Sequence, residues 1–406
     1  MKNVLLISIL FMLTTTKLDA NEIYAGEIRV ATFNVSMEAT NYANATKDKK
    51  SDVSGQTLVN ALATGHQQIK NIAEIIQRVK PDIILLNEFD NANNSNVNDH
   101  AALLSFIKDY LNQSQNGQKS IDYKYFYQGP VNTGVNSNLD LDNNGEKGQL
   151  PSDGYGFGHF PGHYAMALLS KYPINTDKIR TFQHFKWKDM PNALRPFDPD
   201  TKQPWYNDKV WNELRLSSKS HWDIPVNVNG TELHILASHP TPPVFDGKED
   251  RNGKRNHDEI RFWTNYITPK NASYIYDDQG NKGGLVGDKS FVILGDLNAS
   301  NMEGSAIYSG IGDLLNHPNI QDVMPQSNGA QKHSANSKKN KFAQNHTAFW
   351  RMRADYVLPS KNGIEVKGSG VFWPTKQEDT YRLIKDRSAS SDHRLVWLDL
   401  RIESTN

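Results

Sequence analysis

The chain has 406 residues, no cysteine, and 45 basic against 45 acidic side chains, a formal net charge of zero. Without cysteine there is neither a disulfide scaffold nor a thiolate metal site. Without excess positive charge it is no chain that coats itself with nucleic acid, where clustered cations supply the non-specific affinity.

In chain order, Lys2, the apolar run 4–13 and the small, polar exit 14–20 form a cleavable signal peptide, residues 1–20, with the cut expected after Ala20. The run is too short to span a bilayer, and no later segment is long and apolar enough to do so. The reading is export to the periplasm or the medium, with residues 21–406 as a single domain carrying long loop insertions. An exported chain without disulfides relies on its core, or on metals, for stability.

The stretch 27–35 (EIRVATFNV) reads as a strand that ends near Asn34. Ile69, Ile72, Ile76 and Val79 recur at helical spacing over 68–80, and Pro81 closes that helix. A buried strand over 82–89 (DIILLNEF) ends at Glu88. Asp140, Asp142 and Asn144 followed by Gly145 match the first half of a calcium loop, but Pro151 stands where its closing Glu belongs. That stretch reads either as a solvated polar turn or as a second metal loop. Another strand spans 164–170. In LSSKSHWD (216–223), Lys219 and His221 stand beside Trp222, either as contacts for a substrate phosphate or as an exposed turn. A strand over 231–238 runs into His239. A helix follows at 258–267, with Ile260, Trp263 and Ile267 on one face.

The run FVIL at 291–294 reads as a strand buried on both faces, followed after Gly295 by Asp296 and Asn298. Residues two apart in an extended chain project to the same side, so this carboxylate and this amide are expected to point together. Strands over 354–358 and 395–400 complete the series, the first containing Asp355 and the second preceded by Asp392 and His393. Ligand sites in α/β sheets collect at strand ends. Carboxylates, carboxamides and imidazoles without cysteine suit a hard divalent cation and phosphate.

The pieces TFNV, ILLNEFD, LASH, ILGDLNA, RADYVL and SDHRLVWL, in this order over about residues 27–401, resemble the endonuclease/exonuclease/phosphatase superfamily. The resemblance implies an α/β fold of four layers, two mixed β-sheets packed face to face with helices outside and the site at one rim. It implies Glu88 as principal metal ligand, with Asn34 and Asp392 assisting, and Mg²⁺ or Mn²⁺ as the cation, Ca²⁺ being a further candidate. Asp296 would orient or deprotonate the attacking water, and Asn298 would donate its amide to a phosphoryl oxygen. Asp355 would hold His393, itself a phosphoryl donor, and His239 would bind phosphate or protonate the leaving oxygen. Ser36 departs from the pattern, since some nucleases of the group carry an acid there. The expected activity is a metal-dependent phosphoesterase acting on phosphorylated small molecules or short phosphodiesters. The alternatives are an extracellular nuclease acting on DNA or RNA, and a non-catalytic relative that binds phosphorylated ligands. No obligate protein partner is evident.

Overall fold

The computed structural model describes residues 26–46, 52–94, 100–333 and 340–403; the expected signal peptide, residues 1–20, lies outside them. The strands are β1 (Glu27–Met37), β2 (Ile83–Phe89), β3 (Tyr125–Tyr127), β4 (Met166–Ser170), β5 (Arg180–Thr181), β6 (His221–Val228), β7 (Thr231–Ser238), β8 (Ser290–Asp296), β9 (Asp355–Pro359), β10 (Ile364–Val371) and β11 (Val396–Ile402). They form a six-stranded sheet in the order β10-β11-β1-β2-β4-β3 and a five-stranded sheet in the order β5-β6-β7-β8-β9. Both are mixed: β1 runs parallel to β2 and β7 to β8, and their other neighbours are antiparallel.

Strand β8 shows how the sequence builds the layers. Val292 and Leu294 enter the core between the sheets, while Phe291 and Ile293 pack on the opposite side with Trp263 and Tyr266 of the helix Arg251–Tyr266. With both faces buried, the strand reads as an unbroken apolar run rather than an alternating one. On the outside of the other sheet the helix Gln67–Val79 buries Ile69, Ile72, Ile76 and Val79. It stops where Lys80 turns left-handed at φ +56° and donates its N–H to the Ile76 carbonyl, one residue before Pro81. The four-layer sandwich implied by the motifs is therefore the observed architecture.

Four strands were not anticipated. β3 and β5 are two- or three-residue pieces, and β10 (IEVKGSGV) is a partly exposed strand with two glycines. β6 (HWDIPVNV) carries Pro225, and its first three residues fall in the stretch for which an exposed turn was one of two readings, yet it pairs with β7 along its whole length. The second helix starts at Arg251 rather than 258, its first two turns being too polar to show an apolar stripe. No helix among the described residues is long and apolar enough to cross a membrane.

The first and last strands are tied by a buried ion pair. Arg29 Nε and Nη2 lie 2.6 and 2.8 Å from the two Asp399 oxygens, and Nη1 donates to the Val79 carbonyl at 2.7 Å. Removing one partner of such a pair leaves a desolvated charge without its counter-ion, which costs more than the pair itself contributes. Asp399→Ala is expected to lower the unfolding free energy by about 3–5 kcal/mol, measured by urea denaturation.

Candidate active site

The chain leaves its regular strands abruptly at one rim of the sandwich. Ser36 (φ +47°), Glu88 (φ +54°) and Asn298 (φ +52°) are all left-handed there, and the β1–β2 register shifts between Asn34 and Met37. Such backbone costs on the order of 1–3 kcal/mol per residue and persists only where its surroundings hold it. Here it redirects the chain just after Asn34, at Glu88 and beyond β8 at Asn298, and Glu88 and Asn298 line one cleft.

Asp296 sits at the centre of this rim. It shares the parity of Val292 and Leu294, so it faces the other sheet, and Asn34 of that sheet donates to its Oδ2 at 3.1 Å. Its backbone N–H reaches Asn87 Oδ1 on β2 at 3.3 Å, a second bond across the seam. His239 Nε2 and His393 Nε2 both lie 3.4 Å from the same Oδ2. Burial opposes the charge on Asp296, but the two histidines outweigh it and hold the carboxyl well below the usual range. Asn298 reaches the site by a different route from the strand alternation expected of it. The strand ends at Asp296, whose Oδ1 accepts the Asn298 N–H at 2.9 Å, and the Asn298 amide donates to the Pro240 carbonyl at 3.2 Å.

The two histidines stand in opposite electrostatic states. His393 Nδ1 lies 2.9 Å from Asp355 Oδ2, which in turn accepts the Thr347 hydroxyl at 2.7 Å. Burial alone would lower the pKa of His393, but the Asp355 and Asp296 charges push it up to about 10. His239 has no such support: among the described residues its buried Nδ1 has no partner. Burial, reinforced by the nearby Lys219 charge, pushes it down to about 4.

Glu88 and Asp392 complete the rim. Burial and the Asp392 charge together raise the Glu88 carboxyl to about 7, an electrostatic strain that a cation between the two would relieve. With the Asn34 carboxamide these are hard oxygen donors, and they fit a divalent cation. Ser36, which stands where an acid was looked for, donates its hydroxyl to Asp392 Oδ1 at 3.1 Å. Asp296, Asp355 and His393 also lie within 4.8 Å of one another and could hold a metal. They are already joined by the His393–Asp355 hydrogen bond.

A cleft of about 980 Å³ collects these groups, with Glu88, His239, Asp296, Asn298, Asp392 and His393 in its walls. Lys219 lines it as well. His221 does not, and the expectation that it meets substrate is corrected. Its Nδ1 lies 2.6 Å from Ser217 Oγ and its Nε2 2.8 Å from the Glu259 carbonyl, and it packs on Phe262 and Trp263. In the second loop, Asp140 and Asp142 do approach each other, but their third neighbour is the buried Asp153, within 4.8 Å. Asn144 belongs to the same turn, its Oδ1 accepting the Glu146 N–H and its amide donating to Asp142. The sequence reading missed Thr347, and also Trp350, whose ring stands edge-on to His393 at 4.8 Å. Neither carries a local signal beyond its place just before β9.

A model of the Endonuclease/Exonuclease/phosphatase family matches residues 31–393. The chain belongs to that family. Its members hydrolyse phosphate esters, and this chain is a hydrolase of phosphate ester bonds. Among solved structures, the family protein from Beutenbergia cavernae is 16% identical with a TM-score of 0.50, covering 93% of this chain and 72% of its own. The family protein from Leptotrichia buccalis is also 16% identical, covering 93% and 100%, with a TM-score of 0.47. The beta toxin from Staphylococcus aureus, solved as a mutant with bound magnesium ions, is 13% identical over 93% and 100%, with a TM-score of 0.42. No curated protein matches by sequence.

If the protonated His393 is the phosphoryl donor of this family member, kcat/KM should fall on a basic limb near pH 10. Asp355→Asn removes an anion that favours the imidazolium, so the uncharged form appears earlier. The limb should move down by about one pH unit or more, read from the pH dependence of kcat/KM.

Proposed function

We propose that the chain is an exported, divalent-metal-dependent phosphoesterase that cleaves small phosphate esters or short phosphodiesters by attack of water. The observation that carries this reading is the convergence of Glu88, Asn34, Asp392, Asp296, Asn298, His239 and His393 at one rim, from strands of both sheets. Glu88, with Asn34 and Asp392, would hold a divalent cation, Mg²⁺ or Mn²⁺ before Ca²⁺, which neutralises charge building on the phosphoryl and leaving oxygens.

The residues divide the remaining work. Asp296 is an acceptor toward water, and its strongly depressed pKa makes it a weak base, so it orients the water more than it deprotonates it. His393 donates to a phosphoryl oxygen, where charge-assisted donors act on the transition state. The Asn298 amide is placed to do the same after leaving the Pro240 carbonyl. His239, whose pKa burial pushes down, is placed to hydrogen-bond the phosphoryl group or the leaving oxygen.

Small esters are favoured because the cations around the cleft are largely engaged. Arg255 donates to the carbonyls of Leu216, Tyr155, Arg215 and Ser217. Three exposed aromatic side chains at the mouth, Phe157, Phe245 and Trp350, favour the second reading, a secreted nuclease that stacks bases.

Chelation should abolish hydrolysis, and added Mg²⁺ or Mn²⁺ should restore it. Glu88→Gln should raise the metal concentration needed and be partly rescued by excess. Asp296→Asn should retain metal affinity and lose turnover at every metal concentration. Calorimetric metal titration beside turnover of nitrophenyl esters and plasmid DNA checks both the roles and the substrate. Export is tested separately: mass spectrometry of secreted or periplasmic material should find a mature N-terminus near Asn21.

A further inference from the structure

We infer that Asn256 and Glu259 are positioning residues for the reaction. From one face of the helix Arg251–Tyr266 they hold the segments that carry His239, Asp296 and Asn298, so that the Asn298 amide can leave the Pro240 carbonyl without the two loops parting. The inference rests on the phosphoesterase reading of the site and deepens it.

Asn256, Glu259 and Trp263 stand three and four residues apart on this helix, so they share one face, and all three are buried. Each bonds to chain at the rim. The Asn256 amide donates to the Thr241 carbonyl at 2.8 Å and to the Leu297 carbonyl at 3.0 Å. Thr241 lies two residues beyond His239, and Leu297 stands between Asp296 and Asn298. A carboxamide nitrogen carries two donors, and here each goes to a different loop of the site. Glu259 takes the Thr241 N–H on one oxygen at 2.7 Å and the Ser218 N–H on the other at 2.6 Å. Gly156 closes on the Ser218 segment as well, so tightly that a Cβ there would stand 2.0 Å from the Ser218 oxygen. The Trp263 ring N–H donates to the Ser218-independent anchor Ser238 Oγ, at the end of β7, at 2.8 Å. Polar residues that serve the rim occupy the inward face where this helix begins, which is why no apolar stripe marks its start.

The Asn256 bonds do more than pack the helix. Its Oδ1 is buried and, among the described residues, has no partner. An unpaired buried acceptor is costly, and an apolar side chain would avoid that cost, so the gain lies in the two bonds made by the nitrogen. The same two loops are also joined by the Asn298 amide on the Pro240 carbonyl, at 3.2 Å. That second tie is lost when the amide turns to a phosphoryl oxygen. Asn256 does not line the cleft, so its bonds persist and keep His239 and Asp296 together while Asn298 works.

The test compares the whole wild-type chain with Asn256→Ala and the isosteric Glu259→Gln, using bis(p-nitrophenyl) phosphate with Mg²⁺. At temperatures where each variant is fully folded, kcat should fall about ten- to a hundredfold, the scale of a displacement of about 1 Å. KM should move less, and calorimetric metal affinity should be unchanged, because the proposed ligands stand on other segments. Amide hydrogen exchange should quicken over 239–241 and 296–298 but not within β7 and β8. In an Asn298→Ala background, Asn256→Ala should cost less in kcat than it does in the wild type, since groups acting together are not additive. A variant that melts earlier yet keeps wild-type kcat when folded has lost stability alone and overturns the inference. Unchanged exchange in both loops, or strictly additive losses, overturns it too. If Asn256→Ala does not fold, Glu259→Gln carries the same comparison. If the wild type hydrolyses no phosphoester, the functional reading fails by itself, and the exchange measurement still decides whether these two residues hold the loops.

Discussion

Two sheets can be packed face to face with apolar side chains, but at the rim their strands run out together and the seam needs polar closure. Here one buried carboxylate closes it. Asp296 is the last residue of β8, and it takes hydrogen bonds from Asn34 across the seam and from the Asn298 backbone. Both site histidines come to within 3.4 Å of it. A charge so deeply placed is retained only because each oxygen is hydrogen-bonded and cationic His393 stands beside it. The same bonds that close the seam therefore also set the spacing of the catalytic groups.

Around that carboxylate, chemistry is divided by environment and not by residue type. His239 and His393 lie at equal distances from Asp296, yet one is uncharged and the other cationic at neutral pH. The difference comes from what stands behind each ring: a carboxylate backed by the Thr347 hydroxyl for His393, and an orphaned Nδ1 near Lys219 for His239. Opposite charge favours imidazolium, whereas burial and like charge suppress it. A site built this way has one strong donor and one neutral partner before any substrate arrives.

Much of this was legible in the residues. Apolar runs that stop at Asn34, Glu88, His239 and Asp296, and the one that begins at Asp355, mark the strands and their polar ends together, because an unpaired carboxylate or imidazole is costly to bury inside a strand. The misreadings have physical reasons. His221 follows a run of serines and a lysine and looks like a turn, but it begins a full strand whose pairing partner, β7, lies beyond a tight turn at Gly230. Lys219 looks like a surface residue until the close approach of Gly156 and the grip of Glu259 are seen.

The sequence by itself determined most of the strands, the polar groups and the strand ends on which they stand, since periodicity is a property of local segments, while the sandwich entered through the resemblance of the motifs to a known family. Only the tertiary structure decided which of these groups share hydrogen bonds, which histidine carries the charge, and that Lys219 faces the cleft while His221, two residues on, is locked in the core. Those outcomes depend on distances between segments as much as 359 positions apart, such as Asn34 and His393, and on the desolvation that packing imposes. No local pattern of residues encodes either.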